Sequence, residues 1–175
     1  MKFKAVLVFI IMLISNVKIF SQDEVFTPEK AEALFIYNFS RHIGWPESSF
    51  NSDEFVIGVV GDKLLFHEIS KITKDKQVGK NKIVVKYFAS SDEVVNSHML
   101  VIGDKFRNNI ELYKSKLSSF PTLFINSGNN NSVNNTCISF KQVDQKMSYI
   151  LSRNNIKNKG LIMSKRLEEM ALAVE

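Results

Sequence analysis

Phe55-Val56-Ile57-Gly58-Val59-Val60 is an almost unbroken apolar run, closed by Gly61-Asp62. A strand with one wet face alternates apolar and polar residues. A run without alternation belongs to a strand covered on both faces, as the central strands of parallel sheets are. Working downstream, Lys82-Ile83-Val84-Val85-Lys86-Tyr87-Phe88, Met99-Leu100-Val101-Ile102 and Pro121-Thr122-Leu123-Phe124-Ile125 read as further strands. Leu65, Ile69 and Ile72, and later Ile110, Tyr113 and Leu117, recur at helical spacing between them. Lys74 to Asn81 reads as a charged loop, and Ser90-Ser91-Asp92-Glu93 as a capped helical turn. Strand and helix in alternation argue for a single α/β domain with a mostly parallel central sheet, right-handed crossovers and helices on both faces.

Upstream, Thr27-Pro28-Glu29 starts a helix with a hydroxyl cap, a proline in the first turn and an early acid. Ala31, Leu34, Phe35, Phe39 and Ile43 then mark an apolar face, which Ile36 and Tyr37 widen. Gly44-Trp45-Pro46 stops it, because the residue before a proline is pushed out of the helical region. Beyond the fourth strand comes an asparagine-rich loop to Asn135. Cys137-Ile138-Ser139-Phe140 and Met147-Ser148-Tyr149-Ile150-Leu151 then read as a C-terminal antiparallel hairpin at the sheet edge. A helical turn over Asn154 to Lys159 and a last helix opened by Ser164, with Leu167, Met170 and Ala171 on one face, complete the chain.

The first residues have a different character. Met1-Lys2-Phe3-Lys4 precedes an apolar run from Ala5 to Ile14, and Ser21 stands before the polar Gln22-Asp23-Glu24. Residues 1–21 therefore read as a cleavable signal peptide and 22–175 as the exported domain. The run is shorter than the roughly 20 apolar residues of a spanning helix, and no cysteine follows it for a lipid anchor. Removing the signal leaves 154 residues with 20 basic and 18 acidic side chains, a net charge of +2 instead of +5. That removes most of the case for nucleic acid, and the remaining lysines do not form one block in sequence. Cys137 is the only cysteine, so no intrachain disulfide forms even after export.

Cofactor and catalytic signatures are missing. His42, His67 and His98 have no ligand spacing for a metal, and neither a phosphate loop nor a nucleophile elbow is present. Gly58-Val59-Val60-Gly61 lacks the third glycine of a dinucleotide fingerprint and starts inside a strand. What remains is topology. Ligands of open parallel sheets bind beyond the carboxyl ends of strands, where the strand order reverses. If the first and third strands are neighbours, the crevice lies between Asp62 and Asp104, with Ser90 and Ser127 at the same edge. These residues are also ordinary turn formers, and turn chemistry alone accounts for them. Trp45 either plugs a corner of the core or, with Phe50, forms an aromatic patch for a partner. The glycosylation-type triplets at Asn38 and Asn134 carry no further implication.

The stretch from Lys30 to Pro46 resembles, as a unit, the opening signature of the YfiR-like family of bacterial periplasmic proteins. Ile57–Asp62, His98–Ile102, Leu123–Ile125, Ile138–Phe140 and Met163–Leu167 resemble further family segments in the same order. The resemblance implies a non-enzymatic periplasmic regulator without cofactor. It would bind the periplasmic domain of an inner-membrane signalling protein, of diguanylate cyclase or histidine kinase type, with an outer-membrane lipoprotein as a second partner and a homodimer as its own state. This chain has Ser97 where many members carry a cysteine, so disulfide control does not transfer. The other reading is a soluble periplasmic small-ligand-binding protein using the Asp62–Asp104 crevice.

Overall fold

The computed structural model describes residues 26–50, 52–130, 133 and 135–175; the expected signal peptide and the Asn134 triplet lie outside or at the margin of these. In chain order the elements are α1 (Pro28–His42), β1 (Ile43–Gly44), β2 (Glu54–Val60), α2 (Lys63–Thr73), β3 (Gln77–Val78), β4 (Asn81–Phe88), β5 (Met99–Ile102) and α3 (Ile110–Lys116). They continue with β6 (Leu123–Asn126), β7 (Ile138–Val143), β8 (Lys146–Leu151), α4 (Arg153–Asn158), β9 (Ile162–Met163), α5 (Lys165–Glu169) and β10 (Ala173–Val174).

The main sheet runs β10-β8-β7-β6-β5-β2-β4-β3. Strands β4, β2, β5, β6 and β7 are parallel neighbours. The order therefore reverses at β2, which pairs with both β4 and β5 and is the first of these strands in sequence. This is the doubly wound arrangement that the unalternating run anticipates, and Phe55 to Val60 are all buried. On one face, Phe39 of α1 packs on Phe140 and Tyr149. On the other, Lys159 at the end of α4 lies over Phe124.

The hairpin of β7 and β8 turns through Asp144 and Gln145, both at positive φ, a two-residue turn whose twist matches that of the strands. It stands one strand in from the edge, because β10 adds in parallel outside β8. The charged loop after α2 also contributes more than expected: β3 folds back antiparallel on the start of β4.

The apolar stripe on α1 is rotated from the one that periodicity suggests. Ala33, Ile36 and Phe39 are fully buried, whereas Leu34 is 39% exposed. Leu34 and Phe35 instead wall a groove, described below. The physical reason is that α1 has two apolar neighbours, α2 beneath it and the β7–β8 hairpin beside it.

At the amino end of the sheet, His98 is a structural residue. The Val56 N–H donates to its Nδ1 at 3.0 Å, which leaves Nε2 protonated and facing the Ser49 carbonyl at 3.1 Å. Phe55 stacks on the ring at 4.5 Å and Phe50 at 5.4 Å. Burial holds the imidazole below its ordinary pKa, so this contribution to stability is complete above about pH 6.5 and is lost as pH falls.

Gly58 explains its own place in an apolar run. A Cβ there would come within 2.7 Å of the Phe88 ring and 3.0 Å of both Leu100 and Ser97. The glycine lets β4, β5 and the layer above β2 close up. Gly58→Ala is expected to lower stability by about 1–3 kcal/mol, the usual cost of overpacking, measured as the shift in the denaturation midpoint.

Candidate functional site

Four of the residues singled out in the sequence stand at the carboxyl edge of the sheet. Asp62 and Asp104 follow the adjacent strands β2 and β5, and the Gly103 N–H donates to the Val60 carbonyl at 3.0 Å. Ser127 follows β6 and donates its N–H to the Ile102 carbonyl at 3.0 Å. Ser90 stands after β4, but its side chain has no hydrogen-bond partner among the described residues. Ser91 holds the polar contacts there, bonding Tyr113 Oη and accepting from Asn109 Nδ2, each at 3.0 Å.

Two glycine turns at these ends are closely packed. Gly61 has φ +73°, and a Cβ on it would overlap the Phe106 ring, which therefore lies directly against the turn after β2. A Cβ on Gly128 would come within 2.6 Å of an Asp104 carboxylate oxygen. Each acid also has a local task. Asp62 caps α2 by accepting from the Leu65 N–H at 2.9 Å. Asp104 pairs with Arg107 at 2.6 Å. Both aspartates thus have local structural partners, and the Phe106 ring lies against the turn between their strands.

Sequence reasoning passed over the most unusual group at this edge. Glu32 on α1 is only 4% exposed, and its Oε1 accepts from the Gly128 N–H at 3.0 Å. Oε2 is buried without a partner among the described residues. Burial raises its pKa from 4.5 to about 7, and the charges of Asp62 and Glu29 push the same way. The Gly128 N–H and the Ser127 side chain oppose the rise without cancelling it. In sequence the signal is slight: an acid four residues before the fully buried Ile36.

The second feature is the groove between α1 and the β7–β8 hairpin, about 580 Å³ in volume. Ala31, Leu34, Phe35 and Met147 wall it, with Phe26 at one end and Lys146 at the rim. Its size falls within the range of small-molecule sites.

Of the two aromatic residues considered for partner contact, Trp45 is 9% exposed and belongs to the core. Its Nε1 donates to the His98 carbonyl at 3.2 Å and its ring meets Phe55 edge-on at 4.8 Å. The corner-plug explanation describes it. Phe50 is half-buried against His98. Cys137 is 1% exposed, and burial pushes its thiol up to about 11, so the thiolate does not form at neutral pH. Among the described residues no cluster of three or more histidines, cysteines or acids has the arrangement to hold a metal ion.

The sequence model of a family described as YfiR/HmsC-like matches residues 29–172. No curated protein is similar enough to the chain to count as a match.

Glu32 generates a prediction about pH. A carboxyl whose folded pKa lies above its unfolded one gives stability that is complete below pH 4.5 and is lost as pH rises through 7. Glu32→Gln keeps an acceptor for Gly128 without the charge. The difference between the two proteins, from denaturant unfolding at several pH values, is expected to change by about 3 kcal/mol across that window, with the variant the more stable at pH 8.

Proposed function

The chain belongs to the YfiR/HmsC-like family, and from that membership we propose that it is a periplasmic regulator that works by binding, not by catalysis. The partner is the periplasmic domain of an inner-membrane signalling protein, a diguanylate cyclase or a histidine kinase. An outer-membrane lipoprotein is the second partner expected of such a regulator, and a homodimer its expected resting state. The observation that carries this reading is the extent of the family match, which runs from the first turn of α1 almost to β10.

Two structural features support it. At the strand ends where doubly wound folds usually hold ligands, the Phe106 ring lies against Gly61. Apolar surface is exposed beside the groove on the flank of α1, where Phe26 is 64% exposed and Leu34 39%. Surface of this kind suits a protein contact with an apolar centre and a polar rim. The adjoining groove also has room for a small apolar ligand, which gives the ligand-binding alternative a better place than the Asp62–Asp104 edge.

The test begins with the genes beside this one. A membrane sensor encoded there is expected to have a periplasmic domain that co-elutes with this protein in gel filtration and is retained by its tagged form. Failure of every such domain to bind, at concentrations of about 10 μM and physiological salt, overturns the regulator reading. Native mass spectrometry of the protein purified from cells reads out a ligand in the groove.

A further inference from the structure

The net positive charge of the domain is gathered at one edge of the sheet. Lys63, Lys71, Lys74, Lys76, Lys80, Lys82 and Lys86 lie within 24 residues that hold only two acids, Glu68 and Asp75. They belong to α2, the loop after it, the β3–β4 hairpin and β4, so the fold brings them to the same border. All but Lys86 are exposed.

The backbone of that border is open. Strand β4 has eight residues, but β3 covers only its beginning, pairing Gln77 with Lys82 and Val78 with Asn81. The Lys82 N–H donates to the Asp53 carbonyl, and the Phe88 carbonyl accepts from the Gly61 N–H. Even-numbered residues of β4 therefore bond inward to β2, and odd-numbered ones turn outward. The Ile83 N–H is taken by the Lys76 carbonyl at 3.0 Å, and the Ala89 N–H by Glu93 Oε2 at 2.9 Å. Between these two stops, the N–H groups of Val85 and Tyr87 have no partner among the described residues. The window is long enough for a short strand.

We propose that the edge of β4 from Ile83 to Tyr87 takes up an extended acidic segment of a partner protein as an added strand. Unpaired N–H and C=O groups in strand geometry select an extended polypeptide, because only another backbone repeats their spacing. The lysines decide the sign of the guest. Lys86 pairs with Glu54 of β2 at 3.9 Å, so it is the exposed Lys82 with Lys76 and Lys80 beside it that would repel a second copy of this chain. An acidic segment would be drawn in. The side chains beside the window are half-buried and apolar, with Tyr87 against Phe66 at 5.7 Å and under Lys63 Nζ at 5.7 Å, so the guest would meet a formed surface. This inference deepens the partner-binding reading above and rests on it.

The test uses the full chain as purified from cells and a short synthetic peptide of alternating valine and glutamate. A valine–lysine peptide and phosphatidylglycerol vesicles form the other arms. With the acidic peptide, amide exchange at Val85 and Tyr87 is expected to slow at least about tenfold, and the lysine peptide is expected to change nothing. Val85→Pro should abolish binding while keeping the fold, since that N–H bonds nothing in the sheet. Lys82→Glu supplies the same check should the proline variant misfold, weakening binding by about three- to tenfold at low salt. Unchanged exchange at both amides in millimolar acidic peptide overturns the proposal. So does vesicle binding that Val85→Pro leaves intact with no protection by peptide, which would give the lysines to a membrane surface. Co-purification separates this inference from the reading beneath it. If Val85→Pro and Lys82→Glu both retain the sensor domain as the wild type does, the edge is not the contact and the regulator reading stands.

Discussion

Strand β2 is the constraint on which the rest of the structure depends. It is the strand at which the order reverses, so both its edges are paired and both its faces covered. Six of its seven residues are buried, and nothing in the sheet can shift without moving them. Gly58 allows this, since any side chain there would collide with Phe88, Leu100 and Ser97 at once. At the amino end the strand is fixed by a neutral imidazole. His98 accepts from the Val56 N–H and stacks on Phe55, while its own backbone carbonyl takes the Trp45 indole N–H. The Trp45-Pro46 corner that ends the region of α1 and the strand that organises the sheet are thus tied to the same residue.

The carboxyl end is treated in the opposite way. In an open doubly wound sheet the reversal point leaves a crevice, because the helices on its two sides diverge. Here the chain after β5 turns back so that Phe106 lies on Gly61, and Asp104 presses against Gly128. From above, α1 brings Glu32 to the Gly128 N–H. There Glu32 Oε2 is buried without a partner among the described residues, and the raised pKa of Glu32 is the electrostatic consequence of that burial. The arrangement is costly as a piece of structure. Its effect is to bring Phe106, Asp104 and Glu32 together over the glycine turns at the carboxyl end of the sheet.

Much of this was legible in the sequence, and the failures share a cause. The run from Phe55 to Val60 gave the central strand, and Asp62 and Asp104 were correctly placed on neighbouring strand ends. The contact of Phe106 with Gly61 was not legible, because it depends on where Phe106 lands after a turn. Ala31, Leu34 and Phe35 read as core because periodicity reports an apolar stripe without saying what faces it; part of the stripe walls a groove. Glu32 looked like any helix acid, since its burial comes from a glycine turn 96 residues away. The seven lysines between residues 63 and 86 could be counted in the sequence, but the border they share follows only from the pairing of β3 with β4 and the position of α2. Local spacing encodes elements and sides; it does not encode what distant segments bring to them.

An open, partly apolar strand edge is normally a hazard, and natural sheets cover, shorten or charge such edges. This protein does each in part. Strand β3 covers the first residues of β4, Glu93 stops the ladder at Ala89, and lysines flank what is left. Had protection been the only requirement, extending β3 by a few residues would have closed the edge, since the hairpin is already formed. The short β3 leaves the two amides of Val85 and Tyr87 available. The lysines then make the edge selective, repelling a like copy while remaining compatible with an acidic strand. A domain of nearly balanced charge that places seven lysines around the open part of the β4 edge has the geometry of a guarded docking strand, where pairing is permitted by sign.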